Sequence, residues 1–152
     1  MKNKIGKLIF VSFLLTTTCS SYIRSSASAT APGIMEAKVL WLKDKSRVGK
    51  FDFALSLTNE SDKGVIIFLT DIACSKGGVN GDIKHTFYNT GERTIDFKPG
   101  QTKKFNLVCR LPQLTDNNQF IVKIKRISED LNNDGRDAGK VLYNDLSMTI
   151  NL

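Results

Sequence analysis

Few side chains in this sequence are of types that do chemistry, and they stand apart from one another. The densest group is Asp130-Leu131-Asn132-Asn133-Asp134-Gly135. It fits the opening of a calcium loop, with oxygen ligands at alternate positions and a glycine for the sharp turn. Asp137 adds a carboxylate, and the Arg136 carbonyl falls where such loops offer a backbone oxygen. The pattern stops short at its twelfth position, where Val141 replaces the bidentate acid. Asp130, Asn132, Asp134 and Asp137 are therefore a weak calcium candidate set. Asp, Asn and Gly are equally the residues of a plain polar loop. The expectation is an exposed connection between the last two strands, with calcium affinity no tighter than ~10⁻⁴ M.

Catalysis has fewer parts still. His85 is the sole histidine, on one face of a short strand with Ile83 and Phe87. A general base needs a nucleophile and an orienting acid beside it, and neither is marked nearby in the sequence. There is no G-x-S-x-G, no H-E-x-x-H and no phosphate-binding loop. Ser75-Lys76-Gly77-Gly78 could make a Ser–Lys pair or a small anion nest, but a glycine-rich hairpin is the simpler reading. No catalytic residue is expected, and the chain is not expected to be an enzyme. A zinc site is not expected from two mature cysteines, no C-x-x-C and one histidine.

The start of the chain is an address. Lys2, Lys4 and Lys7 precede the apolar run Leu8 to Leu15, and Ala27-Ser28-Ala29 is an A-x-A cleavage pattern. Residues 1–29 are expected to be a signal peptide and residues 30–152 a single domain. A cut nearer Ser21, or lipid modification of Cys19, are the alternatives. The apolar run is far short of the roughly 20 residues that span a bilayer as a helix, so no membrane span is expected. Removing the segment takes away four basic residues and no acid, leaving 18 basic and 15 acidic residues, a net of +3. Nucleic-acid binding then loses its support. Cleavage also leaves an even pair of cysteines, Cys74 and Cys109, which reads as one disulfide in an exported chain. The expected location is secreted, periplasmic or at the cell surface.

The elements that must position these residues read as strands. At 152 residues and 41% hydrophobic, the chain fits one globular domain and excludes a disordered one. Phe51, Phe53, Leu55 and Leu57 alternate with polar or small residues. So do Phe105, Leu107 and Cys109, then Phe120, Val122 and Ile124, then Leu146, Met148, Ile150 and Leu152. Ala37, Val39 and Trp41 are expected to share a face. In the apolar run from Val65, placing Ile66, Phe68, Ile72 and Cys74 on the core leaves Val65, Ile67 and Leu69 outward. That triplet needs cover, by default from residues 30 to 42. Asn59-Glu60-Ser61 is a glycosylation acceptor pattern.

About eight strands and no helical period predict an all-β, antiparallel sandwich or barrel. Phe53-x-Leu55-x-Leu57-x-Asn59-x-Ser61, an apolar run, and Ile95-x-Phe97-x-Pro99-Gly100 before an alternating strand resemble the immunoglobulin-like β-sandwich modules of exported proteins. The resemblance covers residues 50 to 127 and implies a fold only. Trp41 precedes both cysteines, unlike the arrangement in antibody domains.

If the strands carrying Phe105 and Phe120 pair, then Lys104, Arg110, Lys123 and Lys125 make a basic stripe on their outer faces. Such a stripe could meet an anionic polymer or lipid headgroups, although a solvated face is the simpler reading. The function expected is a non-catalytic exported β-sandwich that acts by binding a protein or an anionic surface ligand, or as a structural module. A calcium-dependent adhesion or matrix module and a small enzyme on the same fold are the rivals. No cofactor is expected, weak calcium at the Asp130 loop being the alternative.

Overall fold

The computed structural model describes residues 22–23, 27–45, 49–85, 94–113 and 115–152. The expected basic start, the apolar signal core and Cys19 lie outside the described residues, as do residues 86–93. Eleven strands form among the described residues: β1 Tyr22–Ile23, β2 Ser28–Ala31, β3 Met35–Lys45, β4 Lys50–Asn59, β5 Val65–Phe68, β6 Ile72–Lys76, β7 Val79–His85, β8 Thr94–Phe97, β9 Thr102–Arg110, β10 Gln119–Asp130 and β11 Ala138–Asn151. A 3-10 turn, Leu69–Asp71, is the only helical element among them. The all-β, antiparallel expectation holds, but the count of about eight does not. Two N-terminal strands add to it, and the turn at Leu69 splits one apolar run into β5 and β6.

All pairings are antiparallel, and two ladders share one strand. In the first, β1 and β2 both pair with β3, which pairs with β4, then β9, then Asp82 to His85 of β7. In the second, the Val79 to Gly81 half of β7 pairs with β6. Strands β6 and β5 lie end to end along one edge of β10, β8 pairs with β5, and β11 follows the other edge of β10. Strand β7 is thus the corner at which one ladder passes into the other.

The alternating faces meet across one core. Phe51, Phe53, Leu55 and Leu57 of β4 are buried with Phe105, Leu107 and Cys109 of β9. From the other ladder come Phe120, Val122 and Ile124 of β10 and Leu146, Met148 and Ile150 of β11. The Phe51 and Phe120 rings lie 5.0 Å apart, and the Phe53 ring meets Phe120 edge-on at 5.8 Å. Strands β4 and β10 share no ladder, so these rings join the two ladders through side chains alone. Each such ring removes most of its apolar area from water, worth roughly 1.5–3 kcal/mol.

Simple alternation fails at two places, for identifiable reasons. In β3 the register slips between Val39 and Trp41, a bulge with Leu40 as the extra residue. Ala37 and Val39 stay buried, but Leu42 then takes the inward position while Trp41 is half-buried. In β5 the expected phase is reversed. Val65 and Ile67 join the core, and Ile66 is buried on the opposite face. The 3-10 turn shifts the phase, so that Ile72 and Cys74 of β6 point inward again. Strand β10 makes the matching change beside it: Ile124 and Ile127 are buried while Lys125 and Arg126 are exposed.

Cys74 and Cys109 are disulfide-bonded, with Cα atoms 6.1 Å apart. Cys74 of β6 faces Gly81, and Cys109 of β9 faces Ile83. The bond therefore passes beneath β7 at the corner. A Cβ on Gly81 would lie 2.6 Å from the Cys109 sulfur and 2.9 Å from the Cys74 sulfur, so only glycine fits there. We expect Gly81→Ala to cost at least about 2 kcal/mol in urea unfolding, through overpacking against the bridge. A variant as stable as the parent would refute this placement of β7.

Candidate functional site

The loop that carries the calcium candidates is built from its own side chains. Asp134 Oδ1 accepts a hydrogen bond from the Arg136 N–H at 2.9 Å, closing a local turn. Asn132 Nδ2 donates to Asp137 Oδ2 at 2.7 Å. Asp130 Oδ2 accepts from the Gly135 N–H at 3.0 Å. Asn133 and Gly135 take positive φ, 52° and 74°, which folds the loop tightly. Each of the four residues thus spends an oxygen or its amide inside the loop. Among the described residues no three Asp, Glu, His or Cys side chains gather closely enough to hold a metal ion.

The loop also has a structural task. Thr94 Oγ1 donates to the Gly135 carbonyl at 2.7 Å, and Gly135 sits against Asp96. The Asn133 side chain packs onto Gly64, where a Cβ would displace it. The face that β5 turns away from the core carries Ile66, flanked in register by Asp96 and Ser128. Through Thr94, Asp96 and Gly64 the loop meets the strands and turn that border Ile66, while Val65 and Ile67, the pair expected to need cover from residues 30 to 42, lie in one core with Ala31, Met35, Ala37, Val39 and Leu42.

A cavity of about 470 Å³ opens between this loop and the two turns beside it, lined by Asp62, Lys63, Gly64, Lys98, Pro99, Glu129, Asp130, Leu131 and Asn133. Charges of both signs line it. Lys63 Nζ binds Glu129 Oε1 at 2.9 Å, and this carboxylate holds the exposed ammonium above its ordinary range. Asp130 Oδ1 is buried without a hydrogen-bond partner, so solvent in the cavity does not reach it. An unpartnered buried oxygen of this kind is a local cost to the fold.

The buried polar centre is Asn59, which the sequence marks only as a glycosylation acceptor. Its Nδ2 donates to the Lys63 carbonyl at 2.7 Å and to the Phe97 carbonyl at 3.1 Å. Its Oδ1 accepts from the Ser61 N–H and hydroxyl at 2.9 and 2.7 Å. Its backbone joins the Pro99-Gly100 turn, with Asn59 N–H bound to the Gln101 carbonyl and Gly100 N–H to the Asn59 carbonyl. One fully satisfied amide therefore ties the 59–64 turn to the 97–101 turn. The Asn-x-Ser spacing before a glycine was a turn signal as much as a glycan signal.

The four basic residues fall into two pairs. Lys104 and Arg110 lie on β9, and Lys123 and Lys125 lie on β10. These strands do not pair with each other: β9 joins β4 and β7, while β10 joins β5, β6 and β11. Lys123 Nζ also pairs with Asp145 Oδ1 at 3.3 Å. His85 closes β7 opposite Leu107, and its side chain lies outside the described ones. Ser75 faces Asn80 in the β6–β7 hairpin. Gly77 and Gly78, both at positive φ, make its two-residue turn. Lys76 is buried, with Nζ 2.8 Å from the Thr115 carbonyl and 5.9 Å from the Phe51 ring centre.

No protein-family model matches the sequence. No curated protein matches it either. The fold is similar to a solved structure, a putative lipoprotein (ycdA) from Bacillus subtilis subsp. subtilis str. 168, with a TM-score of 0.54 and 12% identity. The match covers 84% of this chain and 39% of that one, so this chain spans about two fifths of that protein's length. At this identity the likeness is one of fold.

Two outcomes follow for these loops. Asn59→Ala should cost about 3 kcal/mol, because it strands two carbonyls and the Ser61 donors, and the parent expressed in a glycosylating host should gain no glycan mass. Calcium at millimolar concentration should leave the melting temperature where a chelator leaves it, and Asp134→Ala should cost about 1 kcal/mol. Micromolar calcium binding that Asp134→Ala abolishes would overturn the turn-forming role of that carboxylate.

Proposed function

We propose that the chain is an exported, non-catalytic β-sandwich of immunoglobulin-like type that works by binding or as a structural module outside the cytoplasm. The observation that carries this reading is the Cys74–Cys109 bridge at the corner between the two ladders. Disulfides persist in oxidising compartments. Closing the segment from 74 to 109 stabilises the fold by about 4 kcal/mol on the loop-entropy account. Gly81 leaves room for the bridge, since a Cβ there would lie within 3 Å of both sulfurs. The basic residues Lys2, Lys4 and Lys7 before the apolar run Leu8 to Leu15 support export independently. The lipoprotein designation of the similar fold agrees with a place at the cell surface.

The non-catalytic part rests on how the reactive side chains are used. Asp130, Asn132, Asp134 and Asp137 are engaged in loop bonds, Lys76 is buried on a carbonyl, and Ser75 lies in a hairpin. Among the described residues no helix is long and apolar enough to cross a membrane.

The test is made on protein recovered after export from a bacterial host. Non-reducing peptide mapping should find Cys74 joined to Cys109, and reduction should lower stability by about 4 kcal/mol. Two free thiols in the exported protein, or full retention in the cytoplasm, would refute the reading.

A further inference from the structure

Strand β2 contains part of the expected leader. Ser28, Ala29, Thr30 and Ala31 pair in register with Lys38, Ala37, Glu36 and Met35. Ala31 is buried in the core, and Ala27 and Ala29 pack against it. The Val39 N–H donates to the Ala27 carbonyl at 2.8 Å, which extends the ladder one residue upstream. Farther up, Tyr22 and Ile23 pair with Lys43 and Leu42. The two short strands lie end to end along β3 and cover the edge that β4 leaves free. A cut after Ala29 would remove β1 and half of β2. It would bare the β3 edge from Ala37 to Leu42, including the backbone of buried Val39 and Leu42. Uncovered edges of this kind invite pairing with another chain.

We infer that the signal segment is cut between Leu15 and Tyr22, and that the A-x-A triplet Ala27-Ser28-Ala29 is strand and not a cleavage site. This deepens the exported reading and rests on it. The segment just after the apolar run, Thr16 to Ser21, is small and polar, as the region before a cut must be. The small residues at 27 and 29 then have a packing reason, because they lie against the core where β2 crosses it.

The experiment is intact-mass and N-terminal analysis of the full-length chain after export from a bacterial host. The first residue should fall between Thr16 and Tyr22. A blocked N-terminus at Cys19 with added acyl mass would support the same cut and identify it as lipid-linked. A first residue from Ile23 onward, Thr30 above all, would overturn the inference while leaving export intact. A chain that keeps Met1 in the cytoplasm would overturn both. Ala29→Val supplies the control, since valine suits a strand but is too large for the position before a cut. Its processing should match the parent in site and extent; accumulation of unprocessed Ala29→Val would locate the cut after position 29.

Discussion

The corner at β7 is the constraint on which the rest of the structure depends. The two ladders that enclose this core also share a strand, Val79 to His85. Its neighbours on either side, β6 and β9, are joined covalently beneath it. The bridge limits how far the ladders can open, and Gly81 limits what can lie above the bridge. Neither works alone. A side chain at 81 would force the sulfurs away, and free thiols would leave the corner held by a few backbone bonds.

From that corner the core packing follows. Cys109 is the last inward residue of β9, in line with Leu107 and Phe105, so the bridge fixes which face of β9 turns inward. Strand β4 follows β9 in register, placing Phe51 opposite Cys109 and Phe53 opposite Leu107. In the other ladder Cys74 faces Val122, beside Phe120. The Phe51, Phe53 and Phe120 rings therefore meet close to the bridge. At the far end of the core no covalent link exists among the described residues, and the buried amide of Asn59 supplies the directional contacts. A buried amide with every donor and acceptor satisfied specifies one arrangement of its turns, because any other strands a polar group.

How much of this was legible in the sequence depended on how regular each strand is. The faces of β4, β9, the first half of β10 and the end of β11 could be read from alternation, because each pairs without a slip there. Alternation misled in β3, since a bulge leaves no mark in residue type: Val39-Leu40-Trp41-Leu42 is apolar on both faces. It misled in β5 for a related reason. Both faces are covered, so every position is apolar and phase cannot be read from polarity. The cysteine pair could be read from number and compartment alone, whereas Gly81 looked like one more loop glycine beside Gly77 and Gly78. Its isolation after Val79 and Asn80 was the available signal, since a lone glycine within a strand marks close approach of another group.

The candidate site was legible in composition and not in use. Asp, Asn and Gly at alternating positions serve a cation or a chain of local turns, and the two differ only in where the oxygens point. Here Asp134 and Asp137 accept bonds from within the loop, and Asp130 accepts the Gly135 amide. Such side-chain-to-backbone bonds give the loop a fixed shape without a ligand, and that shape meets the strands and turn that border Ile66. Val141 belongs to the same logic. A calcium loop would need an acid there, but the position lies in β11 opposite Ser128 of β10, where a β-branched residue suits a strand. The bonds from Asp130, Asn132 and Asp134 fold this segment into the turns by which it packs against Gly64 and Asp96.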